Sequence, residues 1–165
     1  MVDIEADGPA PGLYSMIELG AVIVESGLTR SFYTSLQPIS SLFVPEALNI
    51  TGYSREQTMA FTNPLDAIMD FDKWLKDNVS EQPRFISDNN GFDWQFVNYY
   101  FWKYLNRNPF GYSSQNLGSL YKGMKRDTRQ NFKHLRKTAH THNPVDDARG
   151  NAEAMLAMAH QGFKF

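Results

Sequence analysis

Met1-Val2-Asp3-Ile4-Glu5-Ala6-Asp7-Gly8-Pro9 is the stretch on which the reading of this chain turns. Apolar and acidic residues alternate in it, which is the period of a β-strand, so Asp3 and Glu5 emerge on one side while Val2 and Ile4 face the other. At a rise of roughly 3.3 Å per residue the two carboxylates stand about 7 Å apart along the strand. Like charges on a half-buried strand repel unless a cation lies between them, and Mg²⁺ or Mn²⁺ is the usual one. The plainer reading is an exposed strand end with two solvated acids, and Asp-x-Glu alone does not decide between the two. The decision rests on whether the rest of the chain brings further acids to this edge.

Working outward, Met16 to Val24 reads as a largely buried strand turned by Glu25-Ser26-Gly27. Thr29 to Gln37 alternates and pairs back, so the first three strands form an antiparallel meander that Pro38 ends. Val44 to Phe61 suggests two short helical pieces, the second capped by Ser54 with Gln57 three residues on. Asn63-Pro64 opens a clear helix whose apolar positions Leu65, Ile68, Phe71, Trp74 and Leu75 keep the helical period. Arg84 to Ser87 is a short strand that runs into Asp88-Asn89-Asn90-Gly91-Phe92-Asp93-Trp94, and a helix from about Asp93 to Asn106 follows. Asp93 therefore falls at a helix start beyond the carboxyl end of a strand, where open α/β sheets place their ligands.

Asn108-Pro109-Phe110-Gly111 breaks that helix, and Asn116 to Met124 forms another. Lys125 to Thr141 is basic and weakly periodic, a loop with a helical stretch around Asn131 to Arg136. The last helix is capped by Asn143, takes Pro144 at its first position and holds Asp146 and Asp147 in its first turn. Its buried stripe is Val145, Ala148, Ala152, Met155, Leu156 and Ala159. His142 lies immediately before the cap.

Composition narrows the chemistry. At 165 residues with 42% hydrophobic and 14% aromatic content, one core and one domain spanning 1–165 are expected. There are no cysteines, which excludes disulfides, thiolate ligation and a cysteine nucleophile, so a metal here is held by oxygen or imidazole. No apolar run approaches the roughly 20 residues that cross a bilayer, and the N-terminus carries acids where a secretory signal carries basic residues. A cytoplasmic protein with no membrane partner is expected. Only Met1 and Val2 precede Asp3 on a strand that should be central, so the native chain is expected to start upstream.

Asp3, Glu5, Asp93 and Asp147 all fall at element ends, where they can converge. Four converging carboxylates need cations, and two of these roughly 3.5–4 Å apart would clamp a phosphodiester for in-line displacement. His142 supplies a general base, because imidazole ordinarily titrates close to neutral pH. Taken singly, Asp93 and Asp147 could merely favour helix dipoles, and His142 could be a surface loop residue.

The three stretches Asp3-Ile4-Glu5, Asn90-Gly91-Phe92-Asp93 and His142-x4-Asp147, in this order, resemble the motifs of the DEDDh 3′-5′ exonucleases. That superfamily includes the polymerase proofreading subunit, RNase T and oligoribonuclease, and the resemblance covers essentially the whole chain. Pro45-Glu46-Ala47-Leu48 with Thr51-Gly52 resembles the segment between the first and second motifs. Asp88 to Trp94 and Asn108 to Ser113 look most like a subgroup that includes a mycobacterial exoribonuclease and a phage exonuclease. The resemblance implies a ribonuclease-H-like α/β fold, an antiparallel three-strand meander plus parallel strands in a mixed sheet flanked by helices. It also implies Asp3, Glu5, Asp93 and Asp147 as ligands of two Mg²⁺ or Mn²⁺ ions, His142 as base, and a nucleic acid with a single-stranded 3′ end as substrate. The subgroup favours RNA slightly over DNA.

Two departures from the pattern bear on the site. Ala6-Asp7-Gly8 stands where many relatives have Thr-Thr-Gly or Thr-Ser-Gly, which removes a hydroxyl and makes Asp7 a rival ligand. Asp88-Asn89 stands where His-Asn is frequent, adding a negative charge nearby.

Seven of the 16 Lys and Arg residues lie between Lys122 and Lys137. From this strip Lys125, Arg126, Arg129, Lys133 and Lys137 are candidate contacts to substrate phosphates, the alternative being a solvated loop face. Trp94, Tyr99, Tyr100, Phe101 and Trp102 crowd one helix. They suit core packing or a homodimer interface better than a base-stacking platform. Two rivals to the exonuclease remain, an endonuclease on the same fold that does not need His142 and a nucleic-acid-binding module without turnover.

Overall fold

The computed structural model describes residues 1–165. Its first sheet is the expected meander: β1 (Val2–Ala6), β2 (Met16–Val22) and β3 (Ser31–Ser35), antiparallel in the order β1-β2-β3. β2 is buried along its whole length, as the central strand of three covered on both faces must be. β1 alternates between buried and half-buried positions, so Val2 and Ile4 enter the core while Asp3 and Glu5 face the other side. β3 is shorter than the alternation from Thr29 to Gln37 suggested.

Helices α1 (Pro45–Thr51) and α2 (Arg55–Thr58) follow. Ser54 closes a full capping box with Gln57 at the start of α2. Asn63 caps α3 (Pro64–Asn78), and its Ile68, Phe71 and Leu75 pack into the main core beside Val2, Ile4, Phe85, Phe96 and Tyr100. Leu65, read as part of that stripe, is exposed, because it lies in the first turn at the rim of the core.

β4 (Phe85–Ser87) leads into α4 (Asn90–Leu105) and pairs in parallel with β5 (Ser114–Asn116). Three-residue β5 has no apolar alternation to announce it. The β4–β5 pair forms its own two-stranded sheet, and β4 lies against β1 without closing a ladder, so the mixed sheet is interrupted at that seam. On α4, Tyr100 and Phe101 are fully buried while Trp102 is 40% exposed. The Tyr100 hydroxyl accepts a hydrogen bond from the Met16 N–H, giving this buried phenol a polar partner.

Asn116 caps α5 (Leu117–Lys125), and a single 3-10 turn occupies Lys133–Leu135 inside the expected loop. Asn143 caps α6 (Pro144–His160), accepting from the N–H groups of Val145 and Asp146. The face that α6 buries runs through Ala148, Asn151, Ala152, Met155 and Met158. Val145, Leu156 and Ala159, expected in that stripe, are only partly buried. The difference arises because α6 is covered by β1 and β2 on one side and by α5 and the 3-10 turn on the other. No helix is long and apolar enough to cross a membrane.

Candidate active site

The site is built on the face of the meander that carries Asp3 and Glu5. Strand register sets Asp3 opposite Gly20 and Glu5 opposite Glu18. Gly20 leaves space beside Asp3, and the N-terminus of α6 fills it. A Cβ on Gly20 would overlap the Pro144 backbone and stand 2.5 Å from the Val145 nitrogen. No larger residue permits this approach of helix to strand. It delivers Asp147, in the first turn of α6, to the two β1 acids: ligand oxygens of Asp3, Glu5 and Asp147 all lie within 4.8 Å of one another.

Asp93 approaches from α4. The helix begins at Asn90 rather than near Asp93, because Asn89 already supplies the cap position without a side-chain hydrogen bond. Asp93 thus sits in the first turn, buried, with its Oδ2 lacking any hydrogen-bond partner. It stands outside the three-carboxylate group but is joined to it through Asp3, on which its charge acts more strongly than that of any other acid.

Burial and mutual repulsion dominate the electrostatics. Burial, then the charges of Asp93, Asp147 and Glu5, holds the Asp3 carboxyl well above its usual range. Glu5 is pushed up to about 8, by burial first and then by Glu18, Asp147 and Asp93. Asp93 is pushed up to about 7, again chiefly by burial. Glu18, buried across the sheet from Glu5, is raised by burial and accepts a 2.5 Å hydrogen bond from the Tyr33 hydroxyl.

Hard oxygen donors gathered in a poorly solvated place, one of them without a partner, are the donor set that Mg²⁺ or Mn²⁺ requires. Asp3, Glu5, Asp93 and Asp147 fit such ions. Asp7, the rival ligand, does not join them. The register shifts between Glu5 and Ala6, and Asp7 turns inward, where Oδ1 accepts from the Ser15 N–H at 2.5 Å and Oδ2 from Arg55 at 2.6 Å. It is one half of a buried ion pair that ties β1 to α2.

His142 lies at the rim, with Nδ1 3.6 Å from Glu5 Oε1 and its side chain 48% exposed. Its backbone is left-handed at φ 60°, a conformation costly for a residue with a Cβ. The turn aims its N–H at Asp147 Oδ2, 3.1 Å away. Three further groups hold Asp147: Arg136 Nη2 donates to its Oδ1 at 2.8 Å, the Thr141 N–H donates to the same oxygen at 3.3 Å, and His140 Nδ1 stands 2.7 Å from it. The His140 and His142 rings meet edge to face with centroids 4.3 Å apart.

His140 and Glu18 were not among the residues singled out from sequence. His140 stands in a loop without periodicity, and Glu18 in a strand that reads as apolar. The only sequence signal for Glu18 is its place opposite Glu5 in a hairpin, and for His140 its two-residue spacing from His142.

The basic strip divides. Lys125 Nζ donates to Gln161 at 2.7 Å and lies over the Tyr121 ring. Arg126 is the left-handed C-cap of α5, and Arg129 folds back onto Asp127 at 3.3 Å. Lys133 and Lys137 instead line a cavity of about 390 Å³ with Asp88, Arg136, Thr138, Ala139 and His140. That cavity touches the acidic centre through Arg136 and His140.

A model of an exonuclease family, RNase_T, matches residues 1–155. The 3′-5′ DNA exonuclease Cap18 of Escherichia coli is 40% identical over 126 residues, which cover 74% of this chain and 67% of that protein. The structure of cell-death related nuclease 4, CRN-4, superposes with a TM-score of 0.75 at 16% identity, covering 98% of this chain and 63% of that one. E. coli Exonuclease I in complex with a 5cy-dT13 oligonucleotide gives a TM-score of 0.73 at 17% identity over 98% of this chain and 40% of that one. The chain thus spans less than two thirds of either solved nuclease.

Proposed function

Because this chain belongs to the RNase_T exonuclease family, we propose that it hydrolyses phosphodiesters stepwise from the 3′ end of a single-stranded nucleic acid and releases 5′-mononucleotides, by the DEDDh mechanism. The observation that carries the reading is the convergence of Asp3, Glu5 and Asp147 within 4.8 Å, with His142 Nδ1 3.6 Å from Glu5. Cap18, with which the chain shares 40% identity, is described as acting on DNA. That favours DNA as the first substrate, where the subgroup resemblance leaned to RNA.

Asp3, Glu5, Asp93 and Asp147 would hold two divalent cations. Bound there, the ions supply positive charge to the phosphodiester and to the attacking water. His142, open to solvent at the rim, takes the proton from that water as its oxygen attacks phosphorus. The bond between phosphorus and the 3′-oxygen of the remaining strand breaks, and that oxygen leaves with a proton from solvent. Glu5 and the edge of His140 fix the position of the His142 ring, and the Asp147 contact to the His142 N–H fixes its backbone.

Incubating 3′-blocked, 5′-labelled DNA and RNA strands alongside their unblocked forms, with Mg²⁺ or Mn²⁺, tests the reading. The expected result is a descending ladder from the unblocked strands and none from the blocked ones. Internal fragments from blocked strands would establish the endonuclease instead, and binding without products the non-catalytic module.

A further inference from the structure

Arg136 is the cation of the basic strip whose place sequence alone could not assign. Its side chain is nine-tenths buried, at 10% exposure. It packs against Gly150 on α6, where a Cβ would stand 2.5 Å from Nε and 2.9 Å from Cζ. Nη2 is held by Asp147, while Nε is buried with no hydrogen-bond partner. A guanidinium offers five donors, and the Asp147 contact uses one of them. Arg136 also lines the cavity of about 390 Å³ with Lys133, Lys137 and His140. Three permanent cations there face a single acid, Asp88, and the wall shared with the acidic centre is formed by Arg136 and His140.

We infer that this cavity is a phosphodiester subsite, taking the backbone phosphate of the substrate strand next to the one being cleaved, with Arg136 as its inner donor and Lys133 and Lys137 at its mouth. The inference rests on the exonuclease reading and deepens it. Guanidinium matches phosphate geometry with paired donors, and the two lysines add flexible point charges. Arg136 touches both Asp147 and the subsite, so an occupied subsite sets the strand's register against the acidic centre. It is a positioning residue: it orients Asp147 and the strand. Lys125, Arg126 and Arg129 do not line this cavity; Lys125 donates to Gln161 and Arg129 to Asp127 instead.

The test measures binding of a fluorescently labelled single-stranded DNA in EDTA, where no turnover occurs, by anisotropy across a salt series. Lys133→Gln combined with Lys137→Gln, both exposed changes, should weaken binding about tenfold and flatten the logarithmic salt slope by about 0.7 for each phosphate no longer neutralised. Arg136→Gln should do likewise with a smaller slope change. Arg136→Lys, retaining charge without the paired donors, should recover less than half of the missing affinity. Lys103→Gln on α4 removes a single charge elsewhere, half the change of the double variant, and should leave affinity and slope unchanged. Equal effects of the Lys103 and the Lys133/Lys137 changes would overturn the subsite in favour of a diffuse charge effect, as would unchanged binding in the Lys133/Lys137 variant. Failure of the exonuclease reading would appear separately, as the absence of a descending ladder from the parent protein with Mg²⁺.

Discussion

Gly20 on β2 lies against Pro144 at the first position of α6 so closely that a single Cβ on Gly20 would overlap the helix backbone. This approach sets the height of α6 over the sheet and hence the distance from Asp147 to Asp3. Gly20→Ala should therefore act twice. Overpacking costs about 1–3 kcal/mol, which would lower the melting midpoint by about 2–4 °C per kcal/mol for a chain of this size. Displacing Asp147 should also weaken Mg²⁺ binding, read by titration calorimetry at a temperature where the variant is fully folded. A stable variant with unaltered Mg²⁺ affinity would show that the close approach is not what positions Asp147.

Asp93 and Asp7 are both buried aspartates, yet their substitutions should diverge. Asp93→Asn removes one member of a repelling cluster whose Oδ2 has no partner, so the metal-free melting midpoint should be unchanged or higher while cleavage is abolished. Asp7→Asn breaks the buried pair with Arg55 and leaves that guanidinium uncompensated, at a cost of about 3–5 kcal/mol. Melts of the two variants in EDTA separate the roles. Equal destabilisation would remove the distinction.

The raised carboxyls predict how the metal-free protein responds to pH. Glu5 at about 8 and Asp93 at about 7, with Asp3 raised alongside them, bind protons in the folded state that they have already released in the unfolded one. Between the ordinary carboxylate range near pH 4 and about pH 8 the folded state thus holds more protons, and stability falls as pH rises. Below that window all three are protonated in both states and the penalty vanishes. Melting midpoints in EDTA should decline from pH 5 to pH 8, and saturating Mg²⁺ should remove most of the decline by neutralising the cluster. A midpoint that rises with pH in EDTA would mean that neither burial nor mutual repulsion raises these carboxyls.

How much of this was legible in the sequence depends on whether the signal is local. The β1 alternation, the Ser54 capping box and the Asn143-Pro144 start of α6 are each set by a few neighbouring residues, and each stands where the sequence placed it. β5 was not legible, because Ser114-Gln115-Asn116 becomes a strand only through its parallel pairing with β4. The buried face of α6 was rotated from the expected stripe for a similar reason: a helix covered on two sides buries Asn151 and Gly150 as readily as leucine. Arg136 and His140 were the least legible. Their loop has no period: Arg136 is drawn inward by the Asp147 carboxylate together with the bare backbone at Gly150, and His140, still exposed, is turned toward the same carboxylate, all contributed by a later helix.

His142 separates the proposed exonuclease mechanism from its rivals, and His140 supplies the internal comparison. His142 Nδ1 faces Glu5 across 3.6 Å with half its ring open to water, whereas His140 Nδ1 is engaged on Asp147 at 2.7 Å. A proton taken from the attacking water needs an imidazole free to receive it, so His142→Ala should lower turnover by about 10²–10⁴, the usual contribution of a positioned base. Mg²⁺ affinity should stay close to the parent's, because imidazole is not among the four oxygen donors. His140→Ala should show the opposite pattern, a smaller drop in turnover with weakened Mg²⁺ binding, since Asp147 is then without one of the groups that orient it. His142→Gly adds a check on the backbone: it removes the imidazole as Ala does but adopts φ 60° without strain, so it should be the more stable of the two and no more active. Single-turnover rates and calorimetric Mg²⁺ titrations on the three variants decide the matter. A His142→Ala protein that cleaves as fast as its parent would leave the carboxylates as a metal centre and remove the histidine from the chemistry.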